Sequence, residues 1–259
     1  MDHGLPFLGK TALITGGGRG IGRAIAMLLA ERGADLMINY VRNQAPAEEV
    51  AAYATPLGRR AVIFRANIGK TEDINKLFDR IEAEFSSLDI FISNAASGFN
   101  RPALQQKETG WDHTMNVNAR AFLFAAQRAV PLMEQRGGGV MVAISSPGGQ
   151  RVLPDYVSVG ASKAALEALT RYLAVELSPK NIVVNAVSPS IVETDALKHF
   201  ASLSNPEVIE RAIRNTPAGR LVQPEDVARV VAFLCTPDAA LIRGQVIVID
   251  GGYTLIAPG

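Results

Sequence analysis

Apolar runs of strand length recur at 11–15, 36–40, 61–65, 90–93, 140–145, 182–188 and 246–249. They are rich in Val and Ile and barely alternate with polar residues. A strand with one wet face alternates, whereas a strand buried on both faces does not, so these runs predict strands sandwiched between layers. Between them, 21–32, 48–57, 72–85, 111–135, 156–177 and 224–234 place apolar residues three and four apart, the spacing of one helix face. Consecutive parallel strands need a crossover, so strand–helix alternation calls for a parallel sheet with helices on both faces. Seven such strands and no Pro/Gly-rich linker predict a single doubly wound α/β domain of Rossmann type over 1–259. The stretch 191–223 breaks the rhythm. It is the longest without a strand and is the expected substrate-covering insertion.

Composition narrows the function classes. With 48% hydrophobic residues in 259, the chain can bury a full core, which excludes a disordered tail. Lys plus Arg number 26 against 25 acids, a net charge of +1, so no nucleic-acid partner is expected. Uncharged stretches are short or rich in Gly, Ser and Pro, and Met1-Asp2-His3-Gly4 lacks the basic and apolar regions of a signal peptide, so no membrane association is expected. A single cysteine, Cys235, excludes an internal disulfide and suits a reducing, cytoplasmic setting; in Val-Ala-Phe-Leu-Cys it reads as a small buried hydrophobe. His3, His113 and His199 lack ligand spacing, so no metal site is expected.

Candidate chemistry sits at two places. The first strand runs into Gly16-Gly17-Gly18-Arg19-Gly20-Ile21-Gly22 and then a helix. Glycines let a backbone turn sharply against a pyrophosphate, and the helix start offers free N–H groups and a positive dipole end. The spacing is Thr-Gly-x-x-x-Gly-x-Gly, with Arg23 where a G-x-G-x-x-G pattern would put its third glycine. An NAD site usually carries an acid after the second strand to hold the ribose 2′-hydroxyl. Here Asn39-Tyr40-Val41-Arg42 stands there, and Asp35 precedes the strand. Arg42, joined by Arg19, suits a 2′-phosphate and so NADPH, unless Arg42 is a solvated loop residue.

The second place is the start of the 156–177 helix, with Asp155 the expected N-cap. Tyr156 and Lys163 are seven residues apart, so on a helix they leave one face about 10 Å apart along the axis. An ammonium near a phenol favours the phenolate, and the pair can serve acid chemistry; equally, a Tyr and a Lys share helix faces often. The pair follows a strand at the carboxyl edge, where such sheets bind ligands.

Thr15-Gly-x-x-x-Gly-x-Gly22, Asn94-Ala95-Ala96, Val117-Asn118, Ser145-Ser146, Ser162-Lys163, Pro217-x-Gly219-Arg220 and Asp250-Gly251-Gly252 run through essentially the whole chain in order. As a set they resemble the short-chain dehydrogenase/reductase superfamily. Most members carry Tyr-x-x-x-Lys, but four residues before Lys163 stands Val159. Tyr156 is the nearby phenol, and Tyr-x6-Lys resembles the enoyl-acyl-carrier-protein reductases. The stretches Asn94-Ala-Ala-Ser-Gly98, Ser158 to Tyr172 and Thr194-Asp-Ala-Leu-Lys-His-Phe200 are similar to the NADPH-dependent enoyl reductase III class, FabL.

That resemblance implies reduction of a trans-2-enoyl thioester, on acyl carrier protein or coenzyme A, in fatty-acid biosynthesis. Tyr156 would bond the thioester oxygen and Lys163 the nicotinamide ribose. Ser146 stands 13 residues before Val159, where carbonyl reductases keep their serine; it assists the carbonyl or is a relic. Asn118 matches the asparagine that supports a proton-relay water, or is a helix-packing amide. Asn67 and Ile68 match the adenine contact, Asn94, Ala95 and Ala96 the adenosine ribose, and Ile191 and Thr194 the carboxamide and pyrophosphate segment. Ser190 follows Pro189 where the family usually has glycine, which questions that turn.

Phe99, Leu153, Ile191, Leu197 and Phe200 are candidates for an acyl trough, each equally readable as core, and Arg101, Lys198 and Arg211 for steering an acidic carrier. The resemblance also implies a homotetramer, formed through the two long helices and the tail 253–257. The rival activity is ketone reduction, on a 3-oxoacyl thioester or a small or steroid-like ketone, which would want a phenol at 159. A non-catalytic NADPH-binding member would lack reason to keep both Tyr156 and Lys163.

Overall fold

The computed structural model describes residues 4–194 and 206–255. Seven strands, β1 (Thr11–Thr15), β2 (Asp35–Tyr40), β3 (Ala61–Arg65), β4 (Ile90–Ser93), β5 (Gly139–Ile144), β6 (Ile182–Pro189) and β7 (Val246–Ile249), form one sheet in the order β3-β2-β1-β4-β5-β6-β7. Every pairing is parallel. The helices are α1 (Gly20–Glu31), α2 (Ala45–Ala54), α3 (Thr71–Phe85), α4 (Glu108–Met115), α5 (Ala121–Glu134), α6 (Val157–Glu176), α7 (Pro206–Arg214) and α8 (Pro224–Leu234). The central strands are buried along their length, as their non-alternating sequences require.

Two apolar layers flank the sheet. One joins Ile14, Ile25, Leu29, Ile38 and Val227 under α1, α2 and α8; the other joins Leu13, Phe78, Phe91, Phe122 and Leu166 under α3, α5 and α6. Adjacent residues Leu13 and Ile14 enter opposite layers, the period-two geometry of a strand. Cys235 is buried in the first layer, and desolvation pushes its thiol up to about 12. Among the described residues no helix is long and apolar enough to cross a membrane.

Four boundaries differ from the periodicity reading. Pro46 sits in the first turn of α2, where its missing N–H costs nothing, so the helix starts before the expected 48, and 55–57 form a 3₁₀ turn. The apolar pattern over 111–135 hides a break: Asn116–Arg120 is a π turn between α4 and α5. Asp155 is not a cap. It is left-handed (φ 57°), its carbonyl accepts from the Arg101 N–H at 2.7 Å, and Tyr156 takes the N-cap position of α6 without a side-chain cap bond. Within 191–223, Val192 pairs with Val222 as an isolated parallel bridge, and α7 follows 205. Ser190 has no positive φ and donates its N–H to the Ile249 carbonyl at 3.0 Å, so glycine is not needed in that turn.

Candidate active site

The strand order reverses between β1 and β4, the switch point at which open α/β sheets offer a crevice outside the carboxyl ends of the strands. Its floor is held by polar bonds rather than packing. Thr15 Oγ1 accepts from the Asn94 and Ala95 N–H groups, each at 3.0 Å, and donates to the Ile92 carbonyl at 3.3 Å. Asn94 Nδ2 donates to the carbonyls of Thr15 (2.8 Å) and Gly16 (3.1 Å). The expected ribose contact therefore has its amide nitrogen spent on holding the glycine loop. Ala95 packs against Gly16, and Ala96 is exposed at the same edge.

The loop fits a dinucleotide phosphate. Gly20 adopts φ +52°, and the atoms nearest the side chain it lacks belong to Thr194, 3.4 Å away. A Cβ on Gly22 would lie 2.4 Å from the Gly16 carbonyl oxygen, so strand and helix meet there through bare backbone. Gly18 abuts the start of α2, and Ile21 leans on the first apolar layer. Arg19 precedes α1 in extended backbone and makes no capping bond, which leaves the helix N-terminal N–H groups open.

Sequence reading missed Asn39. Its side chain is buried at the end of β2, donates to the Ala66 carbonyl at 2.9 Å and accepts from the Gly16 N–H at 3.4 Å. Beside it, the Tyr40 hydroxyl donates to Gln44 at 2.7 Å, and Gln44 in turn donates to Glu48 at 2.7 Å. Arg23 is paired with Glu49 at 2.6 Å, whereas Arg19 and Arg42 are exposed and form no ion pair among the described residues. Asn67 Oδ1 accepts from the Gly69 N–H at 3.0 Å, and the Asn67 N–H donates to Asp73 at 2.9 Å. Ile68 is buried in the second layer, so it can face a ligand only through its backbone. Ile191 is half-buried, its carbonyl accepting from Val222 N–H at 3.3 Å.

The chemical groups converge at the end of β5. The Tyr156 hydroxyl lies 3.4 Å from Ser146 Oγ. Its ring fills a slot made by glycines: a Cβ on Gly148 would come within 2.6 Å of the ring. Burial raises the Tyr156 phenol above its usual range, partly offset by Ser146, so it holds its proton at neutral pH. Lys163 is buried, with Nζ donating to the Ile144 carbonyl at 2.7 Å. Desolvation brings its ammonium down to about 8, while Glu167 pulls the other way.

Asn118 sits in the π turn with its side chain fully engaged. Oδ1 accepts from Ser97 N–H (2.8 Å), and Nδ2 donates to the Ser97 carbonyl and to Ser162 Oγ, both at 2.9 Å. Its side chain ties the β4–α4 loop to α6 and leaves only backbone for a water. Val159 is buried, and a Cβ on Gly98 would overlap it at 2.3 Å. An apolar side chain therefore stands in the common phenol position, backed by a glycine. Phe99 and Leu153 are 44% and 39% exposed, so neither is core; Leu197, Phe200 and Lys198 lie outside the described residues. The Arg101 guanidinium lies over the Phe99 ring at 5.2 Å.

A family model described as enoyl-(acyl carrier protein) reductase matches residues 16–254. The chain belongs to the short-chain dehydrogenase/reductase superfamily. This short-chain reductase is accordingly an oxidoreductase. It is 39% identical over 254 residues to the hydroxynaphthalene reductase-like protein Arp2 of Metarhizium anisopliae, covering 94% of each chain. It is 36% identical over 249 residues to 1-cyclohexenylcarbonyl-CoA reductase of Streptomyces collinus, covering 96% of this chain and 88% of that one. A solved 7α-hydroxysteroid dehydrogenase, complexed with NADH and 7-oxo glycochenodeoxycholic acid, superposes with a TM-score of 0.91 at 34% identity, covering 96% and 95%.

Proposed function

We propose that this short-chain reductase uses NADPH to reduce the C2–C3 double bond of a trans-2-enoyl thioester. The observation that carries the reading is the displaced phenol: Val159 is packed against Gly98 where the superfamily's usual tyrosine would stand, and Tyr156 supplies the hydroxyl instead. Support comes from the Streptomyces relative, whose name describes reduction of a ring double bond conjugated to a coenzyme A thioester. Acyl carrier protein or coenzyme A would be the handle.

When bound, the nicotinamide supplies hydride to C3. The protein's part is alignment and charge. As C3 gains the hydride, the π electrons move toward the thioester oxygen, and C2 later takes one proton. Tyr156 donates a hydrogen bond to that oxygen and can deliver its proton, which its raised affinity retains until then. Lys163 would hold the nicotinamide ribose and keep positive charge beside the developing enolate. Ser146 would share the oxygen or orient the phenol. Phe99 and Leu153 would shield an acyl chain, with Arg101 and Arg211 facing an acidic carrier. Exposed Tyr172 and Val175 on α6, and Val248 on β7, suit burial between subunits of a homotetramer.

Following NADPH absorbance with crotonyl and acetoacetyl thioesters in parallel tests the reading. Oxidation is expected with the enoyl substrate. Oxidation with the 3-oxo substrate alone would instead make the Ser146–Tyr156 pair a carbonyl-reducing one and overturn the proposal. The cofactor choice has its own test. Arg42→Ala is expected to raise KM for NADPH about tenfold or more while leaving NADH unchanged, the loss of a charge-assisted phosphate contact. An unaltered ratio of the two cofactors would refute it.

A further inference from the structure

A buried carboxylate that no step above uses lies one turn beyond Lys163. Glu167 is 3% exposed. One of its oxygens accepts from Ser145 Oγ at 2.6 Å, the other from Gln150 Nε2 at 3.0 Å. Both oxygens are thus engaged, each by a neutral side chain. Room for it is made by Gly149, where a Cβ would lie 2.7 Å from Glu167 Oε1. Burying an unpaired carboxylate costs several kcal/mol, so a sequence keeps one in a helix interior only with partners of this kind.

The partners form a series. Lys163 holds the Ile144 carbonyl, Glu167 holds the Ser145 hydroxyl, and the Ser146 hydroxyl meets Tyr156. Three successive residues at the end of β5 are thus gripped by three side chains from α6 and its N-cap. We infer that Glu167 is a positioning residue: it fixes the strand end that carries Ser146 and supplies the buried counter-charge for Lys163. This rests on the reading that Tyr156 and Lys163 are the working pair. Glu167, one helical turn on from Lys163, raises the hold of that ammonium on its proton against the lowering by burial. The other groups near this part of α6 are neutral at pH 7: Asn118 of the π turn bonds Ser162, Ser146 and Gln150 flank the 147–149 turn, and the N-cap of α6 carries the Tyr156 phenol; His113 of α4 lies against Ser97 at 3.0 Å.

The test needs no substrate. In cofactor-free protein labelled with ¹³C-lysine, the Lys163 ε-carbon is assigned by its loss in Lys163→Met and titrated against pH. Glu167→Gln keeps the shape and removes the charge. Its Lys163 midpoint is expected to fall by about one pH unit or more, while Ser145→Ala, which cuts the hydrogen bond and keeps the charge, leaves the midpoint in place. A folded Glu167→Gln protein with an unmoved midpoint overturns the proposal. With crotonyl thioester as substrate, Glu167→Gln is expected to lower kcat about tenfold at unchanged KM and to move the alkaline limb of the pH profile by the same interval. Failure of the enoyl reading would silence that turnover in the wild type but leave the lysine titration to decide the role of Glu167.

Discussion

Tyr156→Phe is expected to lower kcat for enoyl-thioester reduction by about 10²–10⁴-fold, with NADPH affinity unchanged. The substitution is clean because the ring and the hydroxyl do separate jobs. The ring packs in the slot left by Gly148 and Gly160, contacts that phenylalanine keeps. The hydroxyl meets Ser146, and in the proposed reaction it is the atom that bonds the developing oxyanion. Loss of one half-buried hydrogen bond costs about 1 kcal/mol of stability, too little to unfold a domain of this size. Stopped-flow hydride transfer with saturating NADPH, together with cofactor fluorescence titration, separates the two effects. Retained turnover in Tyr156→Phe would mean that another group carries the proton.

Gly22→Ala is expected to weaken both the fold and cofactor binding. The new carbon would sit 2.4 Å from the Gly16 carbonyl oxygen and 2.5 Å from Asn94 Nδ2, two groups already bonded to each other. Neither obstacle is the free end of a flexible side chain, so relief requires parting the first loop from α1. Overpacking of this kind costs about 1–3 kcal/mol. The loop that must move is also the one shaped for phosphate, so NADPH affinity is expected to fall about a hundredfold or more, a cost of about 3 kcal/mol. Thermal melts with and without NADPH read both losses. The wild type is expected to gain stability from the ligand by mass action, and the variant to melt lower and to gain almost nothing. A variant with an undiminished ligand-induced rise would refute the assignment of the loop.

Much of this was legible in the sequence. Strands buried on both faces declare themselves as unbroken Val/Ile runs, and all seven lie where those runs place them to within two residues. The glycine loop and the Tyr156–Lys163 spacing were also visible, since each depends on residue types rare in ordinary elements. The rest depends on what neighbours do. Glu167 in a helix reads as a solvated face until β5 and the 147–149 turn close over it. Asn39 and Asn94 read as ligand contacts or strand ends, yet both are buttresses of the glycine loop. A π turn adds one residue to a helical ring without changing composition, so the break at Asn116 leaves no periodic trace. The left-handed Asp155 is set by a backbone bond from Arg101, more than fifty residues earlier in the chain.

The single pairing of Val192 with Val222 has a consequence for how this scaffold diversifies. Both valines are buried, and their bridge joins two points 30 residues apart in the chain. Lengthening such an interval is cheap, about 0.6 kcal/mol for each doubling, because its ends are already joined. A longer or shorter interval between the two valines therefore leaves the apolar layer that both join undisturbed.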